Sequence, residues 1–474
     1  MKNISNPIIP ITQQFYDLRT NKIVNWETNS NNNLDFQAIT SFCSLGFMLD
    51  DDTFYNEIRV CKPATEYRLN EKSEITEQKT NWKWHYEPED RAFNDILEEF
   101  TEIFENIVID RTRGKKILLP ISGGLDSRTL VVPVSHRKDM TLASYEFEDG
   151  FYESETGHNL SQRFNIPLFI QKIQRGYLWN KLDEFYELNS CFTDFTHPRQ
   201  ANAINNWKGL GDVILLGHWG DVLFDRQADS KKISFDEQLL QLRQKIIRPG
   251  SMELAKELWN HWGLKGSFES YITDRLNKLY CNINIDHPSA RMRAFKSLYW
   301  APRWTSINLS IFKRAGEIIL PYYSDEMCQF ICTVPERYLE GRTIQIEYIK
   351  KNCPEAAQIS WQKFYPLNLY NYQQFNHPHY YIIRAVRKAK RILQQYFSKS
   401  PDLITRNWEL QFLGEQNFTE LKKNLLKNNK FNKLIPQTII RKYLDKFQAN
   451  PVKYATPISM LLALAVFSDR HYQE

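Results

Sequence analysis

Lys115-Lys116-Ile117-Leu118-Leu119-Pro120-Ile121-Ser122-Gly123-Gly124-Leu125-Asp126-Ser127-Arg128 decides how the rest of this sequence is read. The apolar run Ile117 to Ile121 predicts a short buried strand, and Ser-Gly-Gly-x-Asp-Ser predicts a tight turn into a helix that begins at Asp126. Gly123 and Gly124 let the backbone turn and approach a ligand without a Cβ in the way. The hydroxyls of Ser122 and Ser127, and the N–H groups from Leu125 into the first helical turn, then point at an anion. The stretch has no G-x-x-x-x-G-K-[ST] pattern and therefore no Walker lysine. A bare phosphate would be repelled by Asp126, so the pattern makes chemical sense with Mg²⁺ between the acid and a nucleotide. An ordinary strand-turn-helix corner would account for the same residues, but the full Ser-Gly-Gly-x-Asp-Ser match in a strand-to-helix context favours the nucleotide.

Working outward, the spacing of apolar residues predicts a helix over 92–110, the strand 117–121, a helix from Asp126 and a strand over 141–147. A further apolar run, 212–216, ends in Gly217-His218-Trp219-Gly220-Asp221. Strands alternating with helices predict an α/β fold with a doubly wound, mostly parallel sheet and a ligand at the carboxyl ends of its strands. Beyond about residue 230 the chain reads as helices, including a basic one over 380–396 whose charge is a solvated face. Residues 1–90 are different: rich in Asn, Thr, aromatic and β-branched residues, with strand-like pieces at 54–60 and 66–69. The expected division is a small β-rich piece, 1–90, and a larger unit, 91–474.

Composition narrows the classes of function. The 474 residues are 42% hydrophobic and 14% aromatic, enough for one large core or two, and this excludes a disordered chain. A net charge of +5 from 61 basic and 56 acidic residues gives little reason to expect nucleic acid as a partner. No stretch approaches the 18 or more apolar residues of a membrane span and the start lacks a signal-peptide core, so the expectation is a cytoplasmic protein that does not enter a membrane. A homo-oligomer is compatible with everything in the sequence. The seven cysteines contain no C-x-x-C pair, and Cys328 and Cys332, four apart in an apolar helical segment, read as buried small hydrophobes.

Three further positions extend the candidate site. Asp221 follows a second strand end, where its carboxylate could meet the same Mg²⁺ as Asp126 and help clamp a triphosphate. Glu317, ahead of Ile318-Ile319-Leu320-Pro321, could be a desolvated carboxylate able to take a proton from an attacking amine, or else the salt-bridge partner of Arg314 on one helical face. Lys363, between Trp361 and Phe364, could neutralise charge on pyrophosphate, or simply lay its stem over aromatic surface with its head in water.

The Ser122–Ser127 stretch resembles the pyrophosphate loop of N-type ATP pyrophosphatases, and the order of all these segments resembles the asparagine synthetase family. That family places a Gly-Glu-Gly-Ser-Asp-Glu-type turn, a Glu-Ala-Arg-x-Pro-Phe-x-Asp-type segment and a Trp-Arg-x-Lys-type segment after its loop. Here those places are taken by 217–224, 317–325 and 360–363. The resemblance implies binding of ATP by Ser122, Gly123, Gly124, Leu125, Asp126, Ser127 and Gly217, and of Mg²⁺ by Asp126 and Asp221. It implies Glu317 near the reacting carbonyl and amine and Lys363 on pyrophosphate and the intermediate, with Tyr299 the next candidate for the base. The implied activity is an amide-forming ligase that cleaves ATP to AMP and pyrophosphate, joining a small-molecule or peptide carboxylate to an amine or ammonia. The chain departs from the pattern at His218-Trp219, Val222, Ile318-Ile319 and Ser360-Trp361, so a pocket different from one built for aspartate is expected. Glutamine-hydrolysing members carry a cysteine directly after the initiator Met; here that position is Lys2. Residues 46–90 resemble the last strands of a glutaminase fold, which implies a degenerate glutaminase-like piece, as in β-lactam synthetases and lasso-peptide cyclases. An ammonia-dependent asparagine synthetase or an amidotransferase acting on a sugar acid or amino acid is one alternative. A tRNA-modifying enzyme with the same kind of loop is another.

Overall fold

The computed structural model describes residues 2–26, 33–150, 154–228, 233–378, scattered positions between 380 and 389, and 404–471. Most of the basic helix expected over 380–396 lies outside the described residues.

Six short strands lie within the first 90 residues: β1 (Lys2–Ser5), β2 (Phe15–Asp17), β3 (Lys22–Val24), β4 (Ile58–Val60), β5 (Thr65–Leu69) and β6 (Ile75–Thr80). They form two antiparallel three-stranded sheets, in the orders β1-β5-β6 and β3-β2-β4. The expected strand at 54–60 is shorter than its apolar pattern, because Phe54 and Tyr55 are buried in the loop before β4. This part also holds a helix that the β-rich reading did not contain, Phe36–Leu45. Asp35 caps it by accepting from the Ala38 N–H, and Gly46 ends it in a left-handed conformation at φ 84°.

The second part is α/β. Strands β7 (Ile117–Pro120), β8 (Met140–Phe147), β9 (Leu168–Ile173), β10 (Val213–Leu215) and β11 (Glu317–Ile319) form one sheet. Its order is β11-β10-β7-β8-β9, and every neighbouring pair is parallel. Ile117, Leu118 and Leu119 are wholly buried, as a strand covered on both faces requires. The helix Phe93–Thr112 lays Ile96, Phe100, Phe104 and Val108 into the core at spacings of four, and the Phe100 ring meets Tyr348 edge-on at 5.2 Å.

The division near residue 90 is one of chain order and not of core. A single cluster of buried side chains runs from Ile8 to Phe467. Phe54 stacks on Phe467 with ring centroids 4.0 Å apart, and the fully buried Arg303 donates to the Met48 carbonyl at 3.2 Å. Arg275 pairs with Asp52 at 2.5 Å. Phe467 belongs to the C-terminal helix Pro451–His471, which does have the length and the mean hydropathy, 1.3, to cross a membrane. That corrects the sequence expectation that no stretch qualifies. Here 72% of its apolar window is buried inside the protein, so it is a core helix in this fold.

Replacing Phe467 with Ala should cost about 3–5 kcal/mol, the usual price of a large cavity in a core. Because the ring bridges both parts, amide exchange should accelerate in residues 36–60 as well as in 451–471. Acceleration confined to the C-terminal helix would show that the two parts are not coupled.

Candidate active site

From β7 the chain proceeds outward to β8 and β9, then returns to place β10 on the other side of β7. The loops leaving β7 and β10 therefore diverge, and they open a crevice at the carboxyl ends of the two strands. The β7 loop runs through Ser122–Leu125 into the helix Asp126–Val131; the β10 turn runs through Gly217–Trp219 into the short helix Gly220–Leu223. The two turns touch. A Cβ on Gly217 would lie 2.7 Å from the Asp126 carbonyl carbon, and one on Gly220 would lie 2.2 Å from Asp126 Oδ1. No side chain fits at either position, so these glycines set the closeness of the two turns. Trp219, between them, takes φ 83° and anchors its indole N–H on Ser297 Oγ at 3.0 Å.

Within the loop, Ser127 Oγ accepts the Ser122 N–H at 3.1 Å and lies 3.3 Å from Ser122 Oγ. Ser122 Oγ in turn accepts the Gly124 N–H at 3.4 Å. Leu125 is buried beneath the loop. Arg128, one turn into the helix and completely buried, fixes the loop's other neighbour by donating to the carbonyls of Ile359 at 2.8 Å and Ser360 at 2.7 Å. The Gln362 N–H reaches the Gly123 carbonyl at 3.4 Å. Lys363 follows on the turn Gln362–Phe364, beside the loop but exposed, with its ammonium 5.3 Å from the Phe364 ring and 6.0 Å from that of Trp361. Its stem covers aromatic surface, and it does not line the crevice.

Asp126 sits at the centre of the electrostatics. Its Oδ1 accepts from Arg342 and, at 3.1 Å, from Gln345 Nε2. Gln345 also donates to the Tyr322 hydroxyl at 2.7 Å. Burial pushes the Asp126 carboxyl up to about 6; the Arg342 guanidinium opposes this, and the nearby Asp221 carboxylate adds to it. Asp221 itself is exposed at the mouth of the crevice. Two interacting carboxylates on touching turns fit Mg²⁺, which is commonly held by one or two protein acids plus phosphate oxygens. Among the described residues there is no cluster of three or more acidic, His or Cys side chains suited to a metal held by protein alone.

The crevice encloses about 480 Å³. Ser122, Asp126 and Ser127 form one side and His218 and Asp221 another. Burial pushes the His218 imidazole down to about 4, against the pull of Asp221, and its Nδ1 is buried with no partner. The wide helical segment Lys296–Thr305, a π-helix with Pro302 inside it, supplies a further wall through Lys296, Trp300 and Trp304. Burial lowers the Lys296 ammonium to about 8, helped by Lys245 and opposed by Asp221.

The expectation for Glu317 requires correction. It lies at the first position of β11, opposite Val213 at the start of β10, and so at the end of the sheet away from the crevice. It is exposed and forms an ion pair with Lys115 at 2.6 Å. The segment is a strand and not a helix, and Arg314 pairs elsewhere, with Glu187 at 2.6 Å. Glu317 therefore cannot serve as a desolvated base at the crevice. Tyr299 is not there either: it lines a separate cavity on the other side of the Lys296–Thr305 segment. Sequence reasoning brought Asp126, Asp221, Gly217 and the loop together correctly, and it missed Arg342, Gln345, His218 and Lys296. Only Lys296 carried a signal, as the first of three crevice residues spaced by four, Lys296, Trp300 and Trp304.

A lysine whose folded pKa is depressed binds fewer protons than the unfolded chain between about pH 8 and its ordinary value near 10.4, so its cost to stability is largest below pH 8 and is relieved as pH rises through that window. Lys296→Met should thus stabilise the ligand-free protein against urea more at pH 7 than at pH 10; an equal effect at both would mean the ammonium is not desolvated. No family model matches this chain, and no curated protein matches it at a significant level.

Proposed function

We propose that this chain is an ATP-dependent, AMP-forming ligase that adenylates a substrate carboxylate and lets an amine or ammonia displace AMP to give an amide. The observation that carries this reading is the meeting of the Ser-Gly-Gly-Leu-Asp-Ser loop with the Asp221 turn at the point where the strand order reverses. Phosphate oxygens would lie against the hydroxyls of Ser122 and Ser127 and the start of the helix at Asp126. Asp126 and Asp221 are the residues that would hold Mg²⁺, which when bound supplies charge neutralisation for a departing pyrophosphate. Lys363, adjacent to the loop, can reach anionic groups from the solvent side. His218 lines the crevice where Glu317 does not, and its Nδ1, buried without a partner, can accept a hydrogen bond from the attacking amine; burial lowers its basicity, so its part is to position that amine and not to hold its proton.

Ammonia or an amine is the favoured nitrogen source over glutamine hydrolysed by this chain. The thiols in the first part, Cys43 and Cys61, are buried, and burial pushes Cys61 up to about 12, the reverse of an activated nucleophile. Purified protein should release no glutamate from glutamine above a no-enzyme control; release would overturn this part of the reading.

One observation favours a second reading, a nucleotide-binding protein without turnover. Arg342 and Gln345 already engage Asp126 Oδ1, as a structural ion-pair network would. Product analysis separates the two. With Mg-ATP, a panel of carboxylates and hydroxylamine as the amine, the ligase should form AMP and pyrophosphate in step with hydroxamate, and Asp126→Asn should lose about 10²-fold or more of that rate. Nucleotide binding without AMP would favour the second reading, and ADP with phosphate would defeat the first.

A further inference from the structure

We infer that the crevice selects a monocarboxylate with a flat, aromatic body, held through its carboxylate by Lys296. This rests on the ligase reading above and names the class of acid that would be activated.

The side chain of Lys296 is fixed in place. Its Nζ donates to Gln227 Oε1 at 2.7 Å. Gln227 is itself immobilised: its Nε2 donates to the carbonyls of Asp221 at 3.0 Å and Asp225 at 3.1 Å, and its own N–H donates to Ser289 Oγ at 2.7 Å. With both amide hydrogens aimed at carbonyls, the carboxamide presents its oxygen to Lys296 and can do nothing else. One of the three ammonium donors is spent on that bond, which leaves donors for a ligand. The ammonium also lies 5.9 Å from the centroid of the Trp300 ring.

The charges around the crevice then restrict where an acid can bind. Lys296 is the one Lys or Arg among the described residues that line it, and Asp126 and Asp221 supply the negative charge. A carboxylate is repelled by those acids and attracted to Lys296. The ammonium interacts electrostatically with Asp221, so a carboxylate on Lys296 stands beside the region proposed for the phosphates. The rest of the molecule meets the indole rings of Trp300 and Trp304. A dicarboxylate would leave its second charge against those rings with no second cation among the described residues that line the crevice; Arg248, which lies over the Trp300 and Trp304 rings, is not one of them. A single carboxylate on an aromatic body matches both the charge and the surface.

Calorimetric titration with 2-naphthoate, succinate and acetate tests this, each with and without saturating Mg²⁺ and α,β-methylene-ATP. The expected result is 2-naphthoate binding at least tenfold more tightly than succinate or acetate in both conditions. Lys296→Gln should weaken it at least tenfold and Lys296→Arg should restore much of the loss, with an unchanged circular dichroism spectrum certifying the fold of both variants. The inference is overturned if succinate binds as tightly, if Lys296→Gln leaves naphthoate binding intact, or if the nucleotide displaces naphthoate, since the rings would then hold adenine. Failure of the nucleotide to bind would instead remove the ligase reading, whereas nucleotide binding without naphthoate binding removes this inference alone.

Discussion

The arrangement depends on one steric constraint: two turns at the ends of neighbouring parallel strands approach so closely that neither Gly217 nor Gly220 can carry a side chain. Everything at the crevice takes its position from that contact. It brings the Asp221 turn against Asp126, couples the two carboxylates and raises the Asp126 carboxyl to about 6. A methyl group at Gly220 would occupy the space of Asp126 Oδ1 and crowd the Tyr322 ring, so it would turn the carboxylate away from its partners, whereas one at Gly217 would meet the Asp126 main chain itself.

Such a concentration of negative charge needs compensation from elsewhere in the chain, and distant segments provide it. Arg342 and Gln345 come from 216 and 219 residues further along to hold Asp126 Oδ1. Arg128, buried in the same helix, contributes in a different way: its two terminal nitrogens donate to main-chain carbonyls, which tie residues 359–360 to the back of the loop, while its Nε is buried without a partner. Removing one partner from a buried charged network costs on the order of 3–5 kcal/mol, because the remaining group stays buried without its complement. The loop is therefore held rigidly before any ligand arrives. On the proposed ligase reading, a cation brought in with a nucleotide would compete with Arg342 for Asp126.

The parallel sheet and the loop were legible in the sequence because both are local. A run such as Ile117-Leu118-Leu119 and a Ser-Gly-Gly-Leu-Asp-Ser turn carry their meaning within a dozen residues. Asp221 was legible for a related reason, lying just past another apolar run. Glu317 was misread because apolar neighbours do not say at which end of a strand a residue stands. Being first in β11 puts it on the edge away from the crevice, where Lys115 solvates its charge. Arg342 and Gln345 could not be found at all, since nothing local distinguishes them and their role exists only through a contact across more than 200 residues. The separateness of the first 90 residues was overread on similar grounds: composition changes there, but burial does not, and Phe54 finds its closest stacking partner at Phe467.

The segment Lys296–Thr305 connects these observations. One of its sides, with Lys296, Trp300 and Trp304, closes the crevice; the other, with Tyr299, Pro302 and Arg303, lines a second cavity of about 460 Å³ against Asp50, Asp51 and Trp84 of the first part. Arg303 is secured to the carbonyls of Met48 and Asp52, so the wall of the crevice is braced from behind by the first 90 residues. That explains why a short β-rich piece shares a core with the larger α/β part: without it, the segment that carries Lys296 and its two tryptophans would have one unsupported face. A wall only one helix thick also means that a change in packing on the side of Tyr299 must be felt at Trp300, its neighbour in the chain.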